Sequence, residues 1–303
     1  MKRVAWWGLW LLGAAGLLAS WVVVGGFWVQ GGLMKVAAWY LGMMLPPAAG
    51  AFGLLHSLLL GVLKPERRVL AAVVGVLSMV SLSPALILVG LWAPRYPADL
   101  ATTTPAATVR LPLDGPIVVG WGGDTVKQNY HAAHPDQRWA YDLLVEPAGH
   151  GSADLESYGC YGLDVLAPAA GTVVIAHDGE PDQDPSTFVP NAEAPAGNYV
   201  ALKLSTGTYL ALAHMVPGSV AVAVGDEVTE GQVLGKCGNS GNTSEPHVHI
   251  HHVRQKPEML GFGEGLPLYF RDHDGEPMPV GGIEVDGEDV RFVGDRVRHV
   301  GGI

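Results

Sequence analysis

Four histidines crowd six residues of this chain: His247-Val-His249-Ile-His251-His252. Read as a strand, this stretch sends alternate side chains to one face, so His247, His249 and His251 project together with Val248 and Ile250 opposite. Two imidazoles two residues apart can serve one site, one bound to a metal and the other reaching the bound water or substrate. An isolated His-x-His also suits a polar strand face at a sheet edge. The glycine-rich turn before it separates the two readings.

That turn and the pair it leads into, Cys237-Gly-Asn-Ser-Gly-Asn-Thr-Ser-Glu-Pro-His247-Val-His249, closely resemble the signature of the lysostaphin-like (M23) zinc metallopeptidases. The family usually has Gly-x-Thr/Ser-Gly-x-Ser/Thr-x-x-Pro-His-Leu-His there. Tyr209-Leu-Ala-Leu-Ala-His214-Met resembles the family segment that carries a catalytic histidine. Asn129-Tyr-His131 followed by Gln137-Arg-Trp-Ala-Tyr-Asp142 resembles an Asn-x-His … Gln-Arg-aromatic-Ala-x-Asp element of one subgroup. The resemblance covers about residues 115–252. It implies a metal site of His131, Asp142 and His249, with His214 and His247 as catalytic residues and Zn²⁺ as cofactor.

One departure leaves an alternative open. Ala167-Pro-Ala-Ala-Gly-Thr matches the family's Ala-Pro-x-x-Gly-Thr, which usually follows a His-x-x-x-Asp metal motif. This chain has Cys160-Tyr-Gly-Leu-Asp164 in that place. Cys160 and Asp164 therefore rival His131 and Asp142 as the first two ligands, and His134 is a nearby substitute for His131.

Three protein ligands with a fourth position open is the pattern of catalytic zinc. Nitrogen and oxygen donors of this kind suit Zn²⁺ better than Ca²⁺ or Mg²⁺. A neutral histidine has the intrinsic pKa to take a proton from a metal-bound water near pH 7. His214 and His247 are the candidates, one as base and the other stabilising the oxyanion; the sequence does not say which. The resemblance implies a peptide substrate, the cross-links of peptidoglycan. The other functional class is a non-catalytic M23-like domain that binds cell-wall peptides or activates a partner hydrolase. Retention of His214, His247 and His249 favours the enzyme. His251 faces the same way as His249, His252 faces away, and His150, His177, His273 and His299 read as surface residues.

The elements that must position these residues begin near residue 108. Gly and Pro punctuate the chain from there on, with short Val- and Thr-rich runs between them, which predicts an all-β domain over 108–303. The resemblance makes it an M23-like antiparallel sheet. Val222 to Gly235 is a strand–turn–strand pattern shared with lipoyl and phosphotransfer domains and carries no chemistry. Alternation places His214 on one face with Leu210 and Leu212, pointing into the sheet. The tail from Gly281 reads as a closing hairpin. Cys160 and Cys237 are free to form a disulfide in an oxidising compartment.

The front of the chain is different. Residues 4–34, 36–63 and 69–94 carry no charge, and each run exceeds the roughly 20 apolar residues that cross a bilayer. Three transmembrane helices within residues 1–94 are predicted, the second kinked at Pro46-Pro47. The run 95–107, with Pro97 and Pro105, reads as an extended, poorly packed linker. Lys2, Arg3, Lys64, Arg67 and Arg68 put the N-terminus and the second loop in the cytoplasm by the positive-inside rule. Three crossings then place the C-terminal domain outside. All of the 29 acidic residues except Glu66 lie beyond Pro94, against 12 of the 18 basic ones. That excess of negative charge argues against a nucleic-acid partner.

Overall fold

A computed structural model describes residues 2–87, 91–187, 189–258, 261–286 and 289–300. The chain divides into two compact units, Met1–Pro94 and Arg95–Ile303. The first holds helices α1 (Lys2–Gln30), α2 (Gly32–Leu63) and α3 (Arg68–Leu82), the last extended by a 3₁₀ turn over Ser83–Leu86. Three segments of this unit, Gly13–Gln30, Gly32–Leu63 and Pro65–Leu86, are long and apolar enough to cross a membrane. The helix α2 runs unbroken through Pro46 and Pro47. The third apolar run was expected to extend to residue 94. Its α-helix stops at Leu82, two residues before Pro84, whose ring and missing N–H cannot continue the ladder; residues 88–90 lie outside the described residues. Two serines find hydrogen-bond partners on neighbouring helices. Ser57 donates to the Ala71 carbonyl at 2.5 Å, and the Trp21 indole donates to Ser81 at 3.0 Å.

The second unit is a β domain. Its principal sheet has eight strands in the order β14 (Arg296–Arg298), β2 (Pro116–Trp121), β3 (Tyr141–Leu144), β10 (Val248–Val253), β7 (Tyr209–Met215), β6 (Asn198–Lys203), β5 (Gly171–His177) and β8 (Glu227–Val228). Every pairing within it is antiparallel. Two small pairs accompany it: β1 (Ala107–Val109) with β11 (Leu268–Phe270), which is parallel, and β4 (Asp164–Leu166) with β9 (Val233–Lys236). The core lies between one face of the large sheet and these pairs. It joins Leu143, Leu210, Leu212, Val248 and Ile250 from the sheet to Val109, Val165, Leu234, Leu268 and Phe270. Period-two alternation then leaves Asp142, Ala211, Ala213, His249 and His251 on the opposite face. The core face holds the domain together and the other face is free for chemistry.

The tail forms the expected hairpin, β12 (Ile283–Asp286) with β13 (Asp289–Phe292), and then adds β14 to the sheet edge beside β2. Residues 287–288 and 301–303 lie outside the described residues. Cys160 and Cys237 form a disulfide that closes a loop of 77 residues.

Residues 95–106 are mostly exposed and carry no helix or strand, but they are pinned to the domain at Tyr96. Tyr96 is buried, its N–H donates to the Ala132 carbonyl at 2.7 Å, and its own carbonyl accepts from Arg138 at 2.9 Å. The aromatic side chain found apolar cover that a reading of prolines alone does not reveal.

Candidate metal centre

Each residue of the site is delivered by a different element. His131 lies in a single 3₁₀ turn, Tyr130–Ala133, capped by the buried Asn129. The Asn129 amide donates to the carbonyls of Gly123 and Ala140, both at 3.0 Å, which fixes its oxygen as an acceptor. That oxygen receives the His131 N–H at 3.1 Å and lies 3.0 Å from His131 Nδ1. Nδ1 is thereby the protonated nitrogen, and Nε2 keeps its lone pair, 3.6 Å from Asp142 Oδ2.

Asp142 and His249 are cross-strand partners in the register of β3 and β10. Their side chains meet at 2.8 Å, Oδ1 to Nδ1. His131, Asp142 and His249 each offer a donor atom, and these atoms all lie within 4.8 Å of one another in buried surroundings. Two imidazole nitrogens and one carboxylate oxygen, with no fourth protein donor in the group among the described residues, make a set that zinc accepts with one position left open. Burial drives the His131 imidazole down to about 3 in spite of the neighbouring carboxylate. Burial alone would raise Asp142, but His131, His247 and His249 outweigh it and hold the carboxyl well below its usual range. A neutral histidine beside an ionised carboxylate is the protonation state that binds a cation.

His214 and His247 flank this group. His247 precedes β10; its Nδ1 lies 2.8 Å from the Glu245 carbonyl, so it is the N–H, and Nε2 lies 3.5 Å from Asp142 Oδ1. His214 Nδ1 lies 2.7 Å from the Ser240 carbonyl, which leaves Nε2 of the neutral ring unprotonated. The two rings are 4.8 Å apart, centroid to centroid. Burial, with His247 and His249 beside it, holds His214 well below the ordinary imidazole range. Burial opposes a charge on His247 too, but Asp142 raises it above the ordinary value.

The face occupied by His214 differs from the expected one. Simple alternation groups it with Leu210 and Leu212, which are in the core. The β6–β7 register shifts between Asn198 and Val200, giving β7 one extra residue, and His214 adopts φ 67°. Such a bulge re-aims a side chain. His214 thereby joins Ala211, Ala213, His249 and His251 along one cavity of about 170 Å³. The glycine-rich turn that orients it is packed too closely for other residues: a Cβ on Gly241 (φ 87°) would lie 2.3 Å from the Gly197 nitrogen.

The rival ligands are elsewhere engaged. Cys160 is in the disulfide, and Asp164 is bound to Lys236 at 2.9 Å. His134 is exposed and stays outside the donor group. His252 is buried on the far side of β10, between Thr208 Oγ1 at 2.7 Å and the Pro267 carbonyl at 3.1 Å. Sequence reasoning did not find Glu245 or the hairpin residues Ile283, Val290 and Phe292, which border a second cavity beside Asp142 and His247. Strand alternation and motif spacing carry no signal for them.

Residues 150–259 match the family model described as peptidase family M23. The chain therefore carries an M23 peptidase domain, and peptidases of this family are zinc-dependent. The matched stretch includes His214, His247 and His249, while His131 and Asp142 precede it. No curated protein matches the chain. Among solved structures, the catalytic domain of the antimicrobial peptidase lysostaphin from Staphylococcus simulans is similar at 20% identity, over 49% of this chain and 86% of that one, with a TM-score of 0.30. A zinc-containing peptidase from Vibrio cholerae is similar at 18% identity, over 52% and 38%, with a TM-score of 0.32. The M23 metalloprotease pseudoalterin, from the deep sea, is similar at 17% identity, over 62% and 95%, with a TM-score of 0.35.

Proposed function

We propose that this chain is a membrane-anchored zinc metalloendopeptidase whose C-terminal domain acts outside the cytoplasm on peptide cross-links of peptidoglycan. The observation that carries the reading is the convergence of His131, Asp142 and His249 within 4.8 Å, flanked by two histidines whose Nδ1 atoms are held on backbone carbonyls. Zinc held by those three donors would supply a Lewis acid that polarises a carbonyl and lowers the pKa of a bound water to about 7.

The chain's own residues supply the proton handling. The Nε2 of His214, or that of His247 when its ring is neutral, can accept a proton while its Nδ1–H stays on a backbone carbonyl. The other ring would stabilise the oxyanion only as a donor, with a proton on its own Nε2, and positioned general acid–base groups of this kind contribute about 10²–10⁴-fold. The Asn129 amide keeps His131 from turning its N–H toward the site. The cell-wall substrate follows from the family. Placement outside the cytoplasm is supported by the basic residues around the first three helices and by a disulfide, which persists in oxidising compartments.

Two measurements on the purified full chain test the reading: zinc content and release of new amines from isolated cell wall. About one zinc per chain with turnover is expected. Wall left uncut by zinc-loaded protein would move the domain to the class of non-catalytic M23-like binding modules.

A further inference from the structure

A cavity of about 240 Å³ opens directly beside the reacting centre and shares Asp142 and His247 with it. Most of its wall is apolar. Leu144 continues the β3 face from Asp142, and Ile283, Val290 and Phe292 come from the β12–β13 hairpin, which lies outside the stretch matched to the family. The hairpin is seated closely: a Cβ on Gly149 (φ 75°) would lie 3.0 Å from the Val290 carbonyl and 3.2 Å from the Phe292 ring. The same Gly149 donates its N–H to Glu245 Oε2 at 2.7 Å. Glu245, Gly149 and the hairpin thus form one continuous side of the cavity.

Glu245 is anomalous in such a lining. A carboxylate withdrawn from water is costly unless a cation or several donors meet it. Among the described residues no lysine or arginine pairs with it; its one backbone donor is Gly149, and the only opposite charges acting on it are those His247 and His150 carry when protonated. The domain around it is strongly acidic, which draws cations toward the cleft.

We propose that this cavity is a specificity subsite for a substrate side chain with an aliphatic stem and a primary ammonium head, the stem lying along Leu144 and Phe292 and the head meeting Glu245. The inference rests on the reading of the adjacent site as a peptidase centre. A hydrocarbon side chain would fill the apolar wall and leave the carboxylate unpaired. An acidic one would be repelled by Glu245 and Asp142 together.

The test uses the full-length, zinc-loaded chain in detergent micelles and three probes: acetyl-Gly-Lys-Gly-amide, acetyl-Gly-norleucine-Gly-amide, and Gly-norleucine-Gly-amide with a free amino terminus. Calorimetric titration is expected to show the lysine peptide binding at least tenfold tighter than its acetylated norleucine analogue. That ratio should fall toward one in Glu245→Gln, which keeps an acceptor for Gly149 N–H, and Phe292→Ala should weaken both acetylated peptides. Equal binding of lysine and norleucine peptides, or a ratio unchanged in Glu245→Gln, overturns the proposal. Tighter binding of the free-amine norleucine peptide than of the lysine peptide also overturns it, because the ammonium would then be a chain terminus. Cleavage of a peptide mixture by the same sample is read separately. Absence of cut products bears on the peptidase reading, while the binding ratio still decides the subsite.

Discussion

The Nε2 of His249 lies 3.0 Å from the Nδ1 of His251, two residues along the same strand face. The Nδ1–H of His249 donates to the ionised Asp142; were Nδ1 to take up a cation instead, the ring proton would sit on Nε2, where the Nδ1 of His251 is placed to accept it. A partner of this kind fixes the tautomer and orientation of a metal-binding imidazole, and its loss typically costs 10–100-fold in affinity. Replacement His251→Phe should therefore weaken zinc binding by about that factor in chelator competition, and His251→Gln, which restores an acceptor, should recover part of it. Unchanged affinity in His251→Phe would reduce the pair to packing.

Ligand and proton-transfer roles should separate in mutants. His249→Ala and Asp142→Ala should lose both zinc and turnover. His214→Ala and His247→Ala should keep most of the zinc while kcat/KM falls by about 10²-fold or more. Metal analysis of the four purified variants decides it, and an empty site in His214→Ala would refute the division.

Cys160→Ser discriminates the rival donor set. With the thiol in a bridge to Cys237 and Asp164 tied to Lys236, the variant should retain stoichiometric zinc by elemental analysis. Loss of the metal with the fold intact would return Cys160 to the coordination sphere.

Acid should destabilise the metal-free protein early. Burial holds His252 at about 4 and His131 at about 3, each below the ordinary value of 6.5. The folded state keeps both rings neutral where the unfolded chain binds protons. Stability from these groups is therefore full above pH 6.5 and is lost progressively as pH falls toward 4 for His252 and toward 3 for His131. Each contributes a slope of up to about 1.4 kcal/mol per pH unit. Urea midpoints between pH 7.5 and 4.5 should fall less steeply in His252→Gln than in the parent; parallel curves would contradict the assignment.

Topology is testable with fusions. A reporter joined after Ala107 should behave as extracytoplasmic and one joined at Glu66 as cytoplasmic. The reverse pattern would remove the cell wall from reach.

Much of the site is written in local words. His247 and His249 follow from period-two alternation after a glycine turn, and the Asn-x-His element exposes His131 through its cap. The face of His214 was not legible, because one extra residue in β7 reverses alternation, and a bulge depends on pairing with a distant strand rather than on the bulged sequence. Glu245 and Phe292 were silent for a related reason. They meet across 47 positions of chain only when a C-terminal hairpin settles against Gly149, a contact without local periodicity. The packing of Tyr96 on the domain was hidden in the same way behind a proline-rich segment.

The disulfide has a topological consequence for the metal centre. Asp142 and His249 are 107 residues apart, and the Cys160–Cys237 bridge lies wholly inside that interval, bypassing 77 of them. In the oxidised chain the shortest covalent path between the two donors shrinks to about 30 residues. By the logarithmic cost of closing a flexible loop, this lowers the entropy penalty of bringing them together by about 1 kcal/mol. Before any strand has paired, the oxidised chain searches a smaller volume for its own chelate than the reduced chain does.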